Sequence, residues 1–247
     1  MTSSTESLPR TLLIAVGVAL FCSAMVSSAV YVLRPIQTAY ALLERNRAIV
    51  AVAFGPGERS DAAVVQAFLN LDARVLDLDN GRFVPALDGR SFDHWQEAPG
   101  EAQPPTETRL VPVYFVKEDG VGPRIVLPVD GRGMWSTIYG YVALQADLST
   151  VADVRFHRHG ETPGIGDRIQ NPAWLALWRG KQIYDVSGAP QIRVARSDAA
   201  DGAHHVDLIS GASVTSESVG RFVNEWFGDN GYGPWLAQLR RQGRLLD

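Results

Sequence analysis

Between Thr11 and Leu33 no position carries a charge, and Arg10 and Arg34 bracket the run. At roughly 1.5 Å per helical residue, that run is long enough to cross a hydrocarbon core of about 30 Å. Pro35 to Val50 reads as a separate juxtamembrane helix, with Ile36, Tyr40, Leu42, Leu43 and Ile49 as its apolar positions. Ala62 to Leu71 is a second helical candidate, with Val64, Val65, Phe68 and Leu71 on one side. The acidic, proline-rich stretch Glu97 to Thr106 suits a solvated loop. Strand patterns follow at Val111–Val116, Arg124–Val129, Ser136–Leu144 and Val151–His157, with turn residues such as Glu118-Asp-Gly120 between them. Asn171 to Leu177 reads as a short helix opened by Pro172, and Ile192–Ala195 and His205–Ile209 as late strands. Val219, Phe222, Val223, Trp226 and Phe227 then recur at helical spacing until Gly228 ends the run. Strands without alternating long helices predict an α+β domain with a mainly antiparallel sheet.

Composition narrows this picture. The 247 residues are 46% hydrophobic and 20% charged, as expected of a chain that buries a core. A formal net charge of −4 gives no support to a nucleic-acid partner. Cys22, the one cysteine, lies inside the apolar run, so no disulfide or cysteine-based metal site forms within the chain. A cleaved signal peptide would need a shorter apolar stretch, although Ser27-Ser-Ala29 could pass for its processing site. The run continues through Val30, Tyr31, Val32 and Leu33, so a retained anchor is the expectation. Phe21 is too bulky for a lipoprotein signal around Cys22. Counting arginines near the span, one before it (Arg10) and three after it (Arg34, Arg45, Arg47), would place the large domain in the cytoplasm.

The candidate chemistry is concentrated in Asp207-Leu-Ile-Ser-Gly-Ala-Ser-Val-Thr-Ser216, a cluster of hydroxyls and small residues that opens the last predicted helix. Ser213 and Thr215 fall near its first turn, where free N–H groups and the positive dipole end favour a phosphate. Gly211 and Ala212 allow a ligand close to the backbone. The competing reading is that Ser213 or Thr215 is simply the N-cap. Gly160-Glu-Thr-Pro-Gly-Ile-Gly166 is a shaped loop after a strand, for which a plain turn is the alternative. His157 and His159, on one strand face, supply at most two ligands, so no metal is expected and the histidines read as surface or strand-edge residues. A serine hydrolase built on Ser213 lacks the Gly-x-Ser-x-Gly elbow. No Gly-x-Gly-x-x-Gly follows a strand, so NADH is expected to bind elsewhere than on this chain.

Asp207 to Thr215 resembles a flavinylation motif in which Asp, a Ser or Thr, Gly, Ala and a final Thr occur in this order. Leu127-Pro-Val-Asp-Gly-Arg-Gly-Met-Trp-Ser-Thr-Ile-Tyr-Gly140, His159-Gly-Glu-Thr-Pro-Gly-Ile-Gly166 and Trp226-Phe-Gly-Asp-Asn-Gly-Tyr-Gly-Pro-Trp-Leu236 extend the match. Over nearly its whole length, and least between about Val50 and Thr108, the chain resembles the family of C subunits of the bacterial sodium-translocating NADH:quinone oxidoreductase. The resemblance implies FMN joined by a phosphoester to the final hydroxyl of the motif. That position is Ser213 here, where the family has Thr, with Thr215 as the fallback acceptor. It further implies that Asp207, Ser210, Gly211 and Ala212 surround the attachment point. Thr162 would hydrogen-bond the flavin, with Glu161 nearby, Ile165 packing on it, and Trp135 and Ser136 as wall residues. No catalytic residue and no metal ligand are implied. The expected organisation is a cytoplasmic N-terminus over 1–10, a transmembrane helix over 11–33, a juxtamembrane helix and connection over 34–60, and a periplasmic covalent-FMN-binding domain over 61–247. The implied role is electron relay from NADH oxidation toward ubiquinone, coupled to sodium export, in a bacterial inner-membrane complex with other subunits, after maturation by a flavin transferase. The alternatives are the corresponding subunit of the ferredoxin:NAD oxidoreductase complex and a membrane-anchored, non-catalytic binding module.

Overall fold

The computed structural model describes residues 8–96, 110–117, 122–196 and 202–243. The expected loop at Glu97–Thr106 and turn at Glu118–Gly120 lie outside them. One helix, α1 (Leu8–Phe54), contains both the apolar run and the segment expected to start a new helix at Pro35. An interior proline removes one ladder hydrogen bond and strains one turn, a local cost of about 3 kcal/mol that need not end a long helix. In that turn the Thr38 hydroxyl donates to the Arg34 carbonyl (2.9 Å). From Leu12 to Leu42 the large apolar side chains of α1 are exposed, and α1 is long and apolar enough to cross a membrane. The chain divides into compact units at Glu44/Arg45. The second unit thus begins at Arg45, ahead of the expected boundary at residue 61, because Ile49, Val50, Val52 and Ala53 are buried in it.

Within that unit, α2 (Asp61–Leu69) is capped by Ser60, whose hydroxyl accepts from the Ala63 amide (3.3 Å). A hairpin that hydrophobic spacing does not predict follows, β1 (Asp72–Asp77) and β2 (Arg82–Asp88). Its turn is fixed by Gly81 at φ +65 and by the Asp77 carboxylate, which accepts from the Asp79 amide (2.9 Å). Then come β3 (Leu110–Val116), β4 (Arg124–Arg132), β5 (Thr137–Leu144) and β6 (Val151–Arg158), each within a few residues of its expected span. The six strands form one antiparallel sheet in the order β2-β1-β3-β4-β5-β6. A short helix, α3 (Pro172–Ala176), leads to a parallel pair, β7 (Arg193–Ala195) and β8 (His205–Asp207), then to α4 (Ser213–Phe227) and a further unpredicted helix, α5 (Gly233–Gln242).

On one side, the sheet presents Ile125, Leu127, Val129, Ile138 and Val142 to Val219, Phe222, Val223, Trp226 and Phe227 of α4. α4 approaches β4 closely because Gly131 has no side chain: a Cβ there would collide with the Phe222 side chain. Trp226 Nε1 donates to the Asp130 carbonyl (2.7 Å) and the Tyr232 hydroxyl to that of Pro128 (2.7 Å), which fixes the helix along the strand. His157 lies on β6, the edge strand of the sheet, as expected, but not at the surface: it stacks on Tyr141 and lies against Trp95, in a cluster that also holds His94. β6 ends at Arg158, so His159 does not share its strand.

Candidate functional site

The chain leaves β8 through Leu208–Ser210, turns at Gly211 with φ +84, and enters α4. Ala212, buried and without a side-chain acceptor, occupies the N-cap position, so neither Ser213 nor Thr215 is the cap. The Ser216 hydroxyl turns inward, donating to the Ala212 carbonyl (2.5 Å) and accepting from the Ile209 amide (3.3 Å). Ser213 is the first helical residue and is exposed. Among the described residues, the amides of Ser213, Val214 and Thr215 find no acceptor, as expected of an uncapped first turn. Ser210 and Gly211 are exposed beside it. Asp207 is exposed, with its carboxylate 3.1 Å from His205 Nε2 and its carbonyl accepting from Trp174 Nε1 (2.8 Å).

Glu161 joins this turn to two loops. Its carboxylate accepts from the Thr215 hydroxyl (2.7 Å) and from the amides of Trp135 (2.9 Å), Ser136 (3.1 Å) and Met134 (3.3 Å). Burial by itself would raise the Glu161 pKa. The hydrogen bonds from Thr215, Trp135, Ser136 and Met134 together outweigh burial and hold the carboxyl below the ordinary carboxylate range. Two glycines make room for it: a Cβ at Gly133 would lie 2.6 Å from Glu161 Oε1, and one at Gly166 would lie 2.9 Å from Glu161 Cβ. The Ser136 hydroxyl accepts from the Gly160 amide (2.5 Å), a second tie between the loops. In the 160–166 loop, Gly164 has φ +77 and the Thr162 carbonyl accepts from the Ile165 amide (3.2 Å). Thr162 itself is exposed.

Glu161 thus brings together the expected residues of three segments, 134–136, 160–166 and the start of α4. Those segments leave large apolar side chains in solvent: Trp135 is 69% exposed, Met134 52%, Val214 54% and Ile165 48%. Exposed flat apolar surface beside free amides and hydroxyls suits a ligand with a planar ring and an anionic tail. The residues present therefore fit FMN. Glu161, expected near the flavin, lies among these segments but faces the protein, with both carboxylate oxygens taken. Sequence reading missed Met134, Val214 and the glycine pair 133 and 166; the recurrence of glycine at 131, 133, 164 and 166 was the available signal. A separate cleft of about 820 Å³, lined by Arg193, Glu217, Arg221 and Arg240 among others, contains none of the expected residues.

The family model described as FMN-binding domain matches residues 133–228. The C subunit of the Na(+)-translocating NADH-quinone reductase of Pseudomonas aeruginosa is 38% identical, covering 96% of this chain and 97% of its own. Its Yersinia pestis counterpart is 37% identical over 95% of this chain and 94% of its own. The crystal structure of Shewanella oneidensis NqrC superposes with a TM-score of 0.71 at 30% identity, covering 82% of this chain and 99% of that one. The crystal structure of the same subunit from Parabacteroides distasonis gives 0.68 at 26% identity, with 83% and 96% covered.

Proposed function

This chain belongs to the C-subunit family of Na(+)-translocating NADH-quinone reductases, and from that premise we propose that it carries FMN on Ser213 through a phosphoester. In this reading residues 1–10 are cytoplasmic, 11–33 span the bacterial inner membrane, 34–44 connect, and the domain that begins at Arg45 is periplasmic. A flavin transferase attaches the cofactor, and other subunits of the complex complete the path from NADH to ubiquinone, coupled to sodium export. Bound FMN supplies one-electron redox chemistry at the site. Ser213 offers its hydroxyl, and the free amides of the first turn of α4, with the helix dipole, compensate the phosphodiester charge. Trp135, Met134, Ile165 and Val214 form the apolar wall, and Thr162, exposed on its loop, hydrogen-bonds the ring. NADH is oxidised on a partner, since this chain has no dinucleotide fingerprint.

The observation that carries the assignment is the contrast between two hydroxyls. Ser213 is exposed at the first position of α4, whereas Thr215 is 2% exposed and bonded to Glu161 at 2.7 Å. Full-length protein made alongside the transferase should be yellow after denaturation, with FMN mass on the tryptic peptide 197–221. Ser213→Ala should abolish that colour and Thr215→Ala should keep it; an unmodified peptide from transferase-containing cells refutes the reading.

A further inference from the structure

Glu161 is a charged side chain turned entirely onto the protein. It is 4% exposed. Oε1 accepts from the Trp135 and Ser136 amides, while Oε2 accepts from the Met134 amide and the Thr215 hydroxyl. A carboxylate has about four lone-pair sites, and four donors fill them. No capacity remains for a bound flavin. Yet its position decides what α4 offers to one.

Two hydroxyls stand two residues apart in that first turn, and either is chemically able to form a phosphoester. Ser213 faces solvent. Thr215 faces Glu161, and the loop closes over the pair, because a Cβ at Gly166 would lie 3.2 Å from Thr215 Oγ1. The hydrogen bond is charge-assisted and buried, the class that costs most to break. We propose that Glu161 is a positioning residue that directs flavin attachment to Ser213 by holding the Thr215 hydroxyl inside the protein. The proposal rests on the reading that Ser213 carries FMN. In the transfer step, Ser213 Oγ attacks the flavin-bearing phosphorus of a dinucleotide donor. The Oγ–P bond forms as the phosphoanhydride P–O bond breaks. The departing mononucleotide takes the bonding electron pair, and the hydroxyl proton passes to a base of the transferase or to water. Thr215, 2% exposed and with its hydroxyl turned inward onto Glu161, does not present Oγ1 to the donor's phosphorus and so does not enter the same substitution.

The test uses the full chain, made together with the transferase, and fragment-ion sequencing of peptide 197–221 to read how label divides between Ser213 and Thr215. Wild type should carry FMN on Ser213 alone. In Glu161→Gln label should appear on Thr215, at least about tenfold above the detection limit that bounds it in wild type, the change expected from losing one hydrogen bond to a charged group. Glu161→Asp keeps the negative charge but shortens the side chain by one methylene, which draws the carboxylate back from Thr215. It should shift the division the same way even if Glu161→Gln fails to accumulate. Ser213→Ala combined with Glu161→Gln should be labelled on Thr215, whereas Ser213→Ala alone should not. A purely structural role would lower total label without moving this division. Label confined to Ser213 in both Glu161 variants overturns the proposal, as does wild-type label on Thr215. A wild-type peptide bearing no FMN at all overturns instead the reading on which the proposal rests.

Discussion

His94 and His157 flank Trp95 in an aromatic cluster with Tyr139 and Tyr141, and among the described residues neither Nδ1 has a hydrogen-bond partner. Burial, and then the Arg158 charge, lower the His94 pKa from 6.5 to about 3; burial, Arg158 and Arg45 do the same for His157. Both are therefore neutral in the folded state. The unfolded chain binds their protons below pH 6.5, so the stability they contribute is complete above that pH and is lost as pH falls toward 3. At pH 5 the loss should reach about 2 kcal/mol for each histidine, from 1.36 kcal/mol per pKa unit. Urea denaturation at about pH 7.5 and about pH 5 checks this, and His157→Phe, which keeps the stack on Tyr141 without the titration, should roughly halve the slope. The cluster was not legible in the sequence, where the histidines read as surface or strand-edge residues, because only the folded sheet brings β5 and β6 against Trp95.

At the level of elements, α1 changes character near Arg45. Before that point its apolar side chains face outward; after it Ile49, Val50, Val52 and Ala53 are at most 1% exposed. Burying a Val or Ile side chain contributes roughly 1.5–3 kcal/mol. Three of them together rival the net stability of an ordinary domain, about 5–15 kcal/mol. A chain starting at Leu43 should fold cooperatively and remain soluble, whereas one starting at Pro56 should aggregate or unfold at much lower temperature, as read by thermal unfolding. The same contrast explains the misplaced boundary at Pro35. Hydrophobic spacing reports which face is apolar, not what covers it, and a proline by itself does not stop a helix that continues on both sides. The β1–β2 hairpin escaped prediction because β2 is a largely exposed edge strand with no clean alternation, although Asn80-Gly81 marks its turn.

At the scale of the whole molecule, sidedness follows from the proposed role: alkaline phosphatase fused after Asp247 should be active, and green fluorescent protein fused there should be dark. The arginine count leans the other way, but two of its members belong to the folded domain rather than to a free flank. Arg45 lies 3.6 Å from Asp93, and Arg47 pairs with Asp61 at 2.7 Å. Long domains translocate largely regardless of charge. Bright cytoplasmic fluorescence would mean that the count was the better guide.

By itself the sequence determined the apolar span, the four strands β3 to β6, the amphipathic α4 and the hydroxyl motif that opens it. Each rests on local spacing or on neighbours in the chain, and needs no knowledge of distant contacts. Only the tertiary structure decided the roles of Glu161 and Thr215, which are 54 positions apart and meet in one hydrogen bond. It also decided why Gly131, Gly133 and Gly166 are glycines, since the atoms that exclude a Cβ come from Phe222 and Glu161. Ser213 lies at the boundary between the two. Its place at a helix start follows from pattern, but its exposure beside a sequestered Thr215 follows from how α4 settles on β4 and the 160–166 loop.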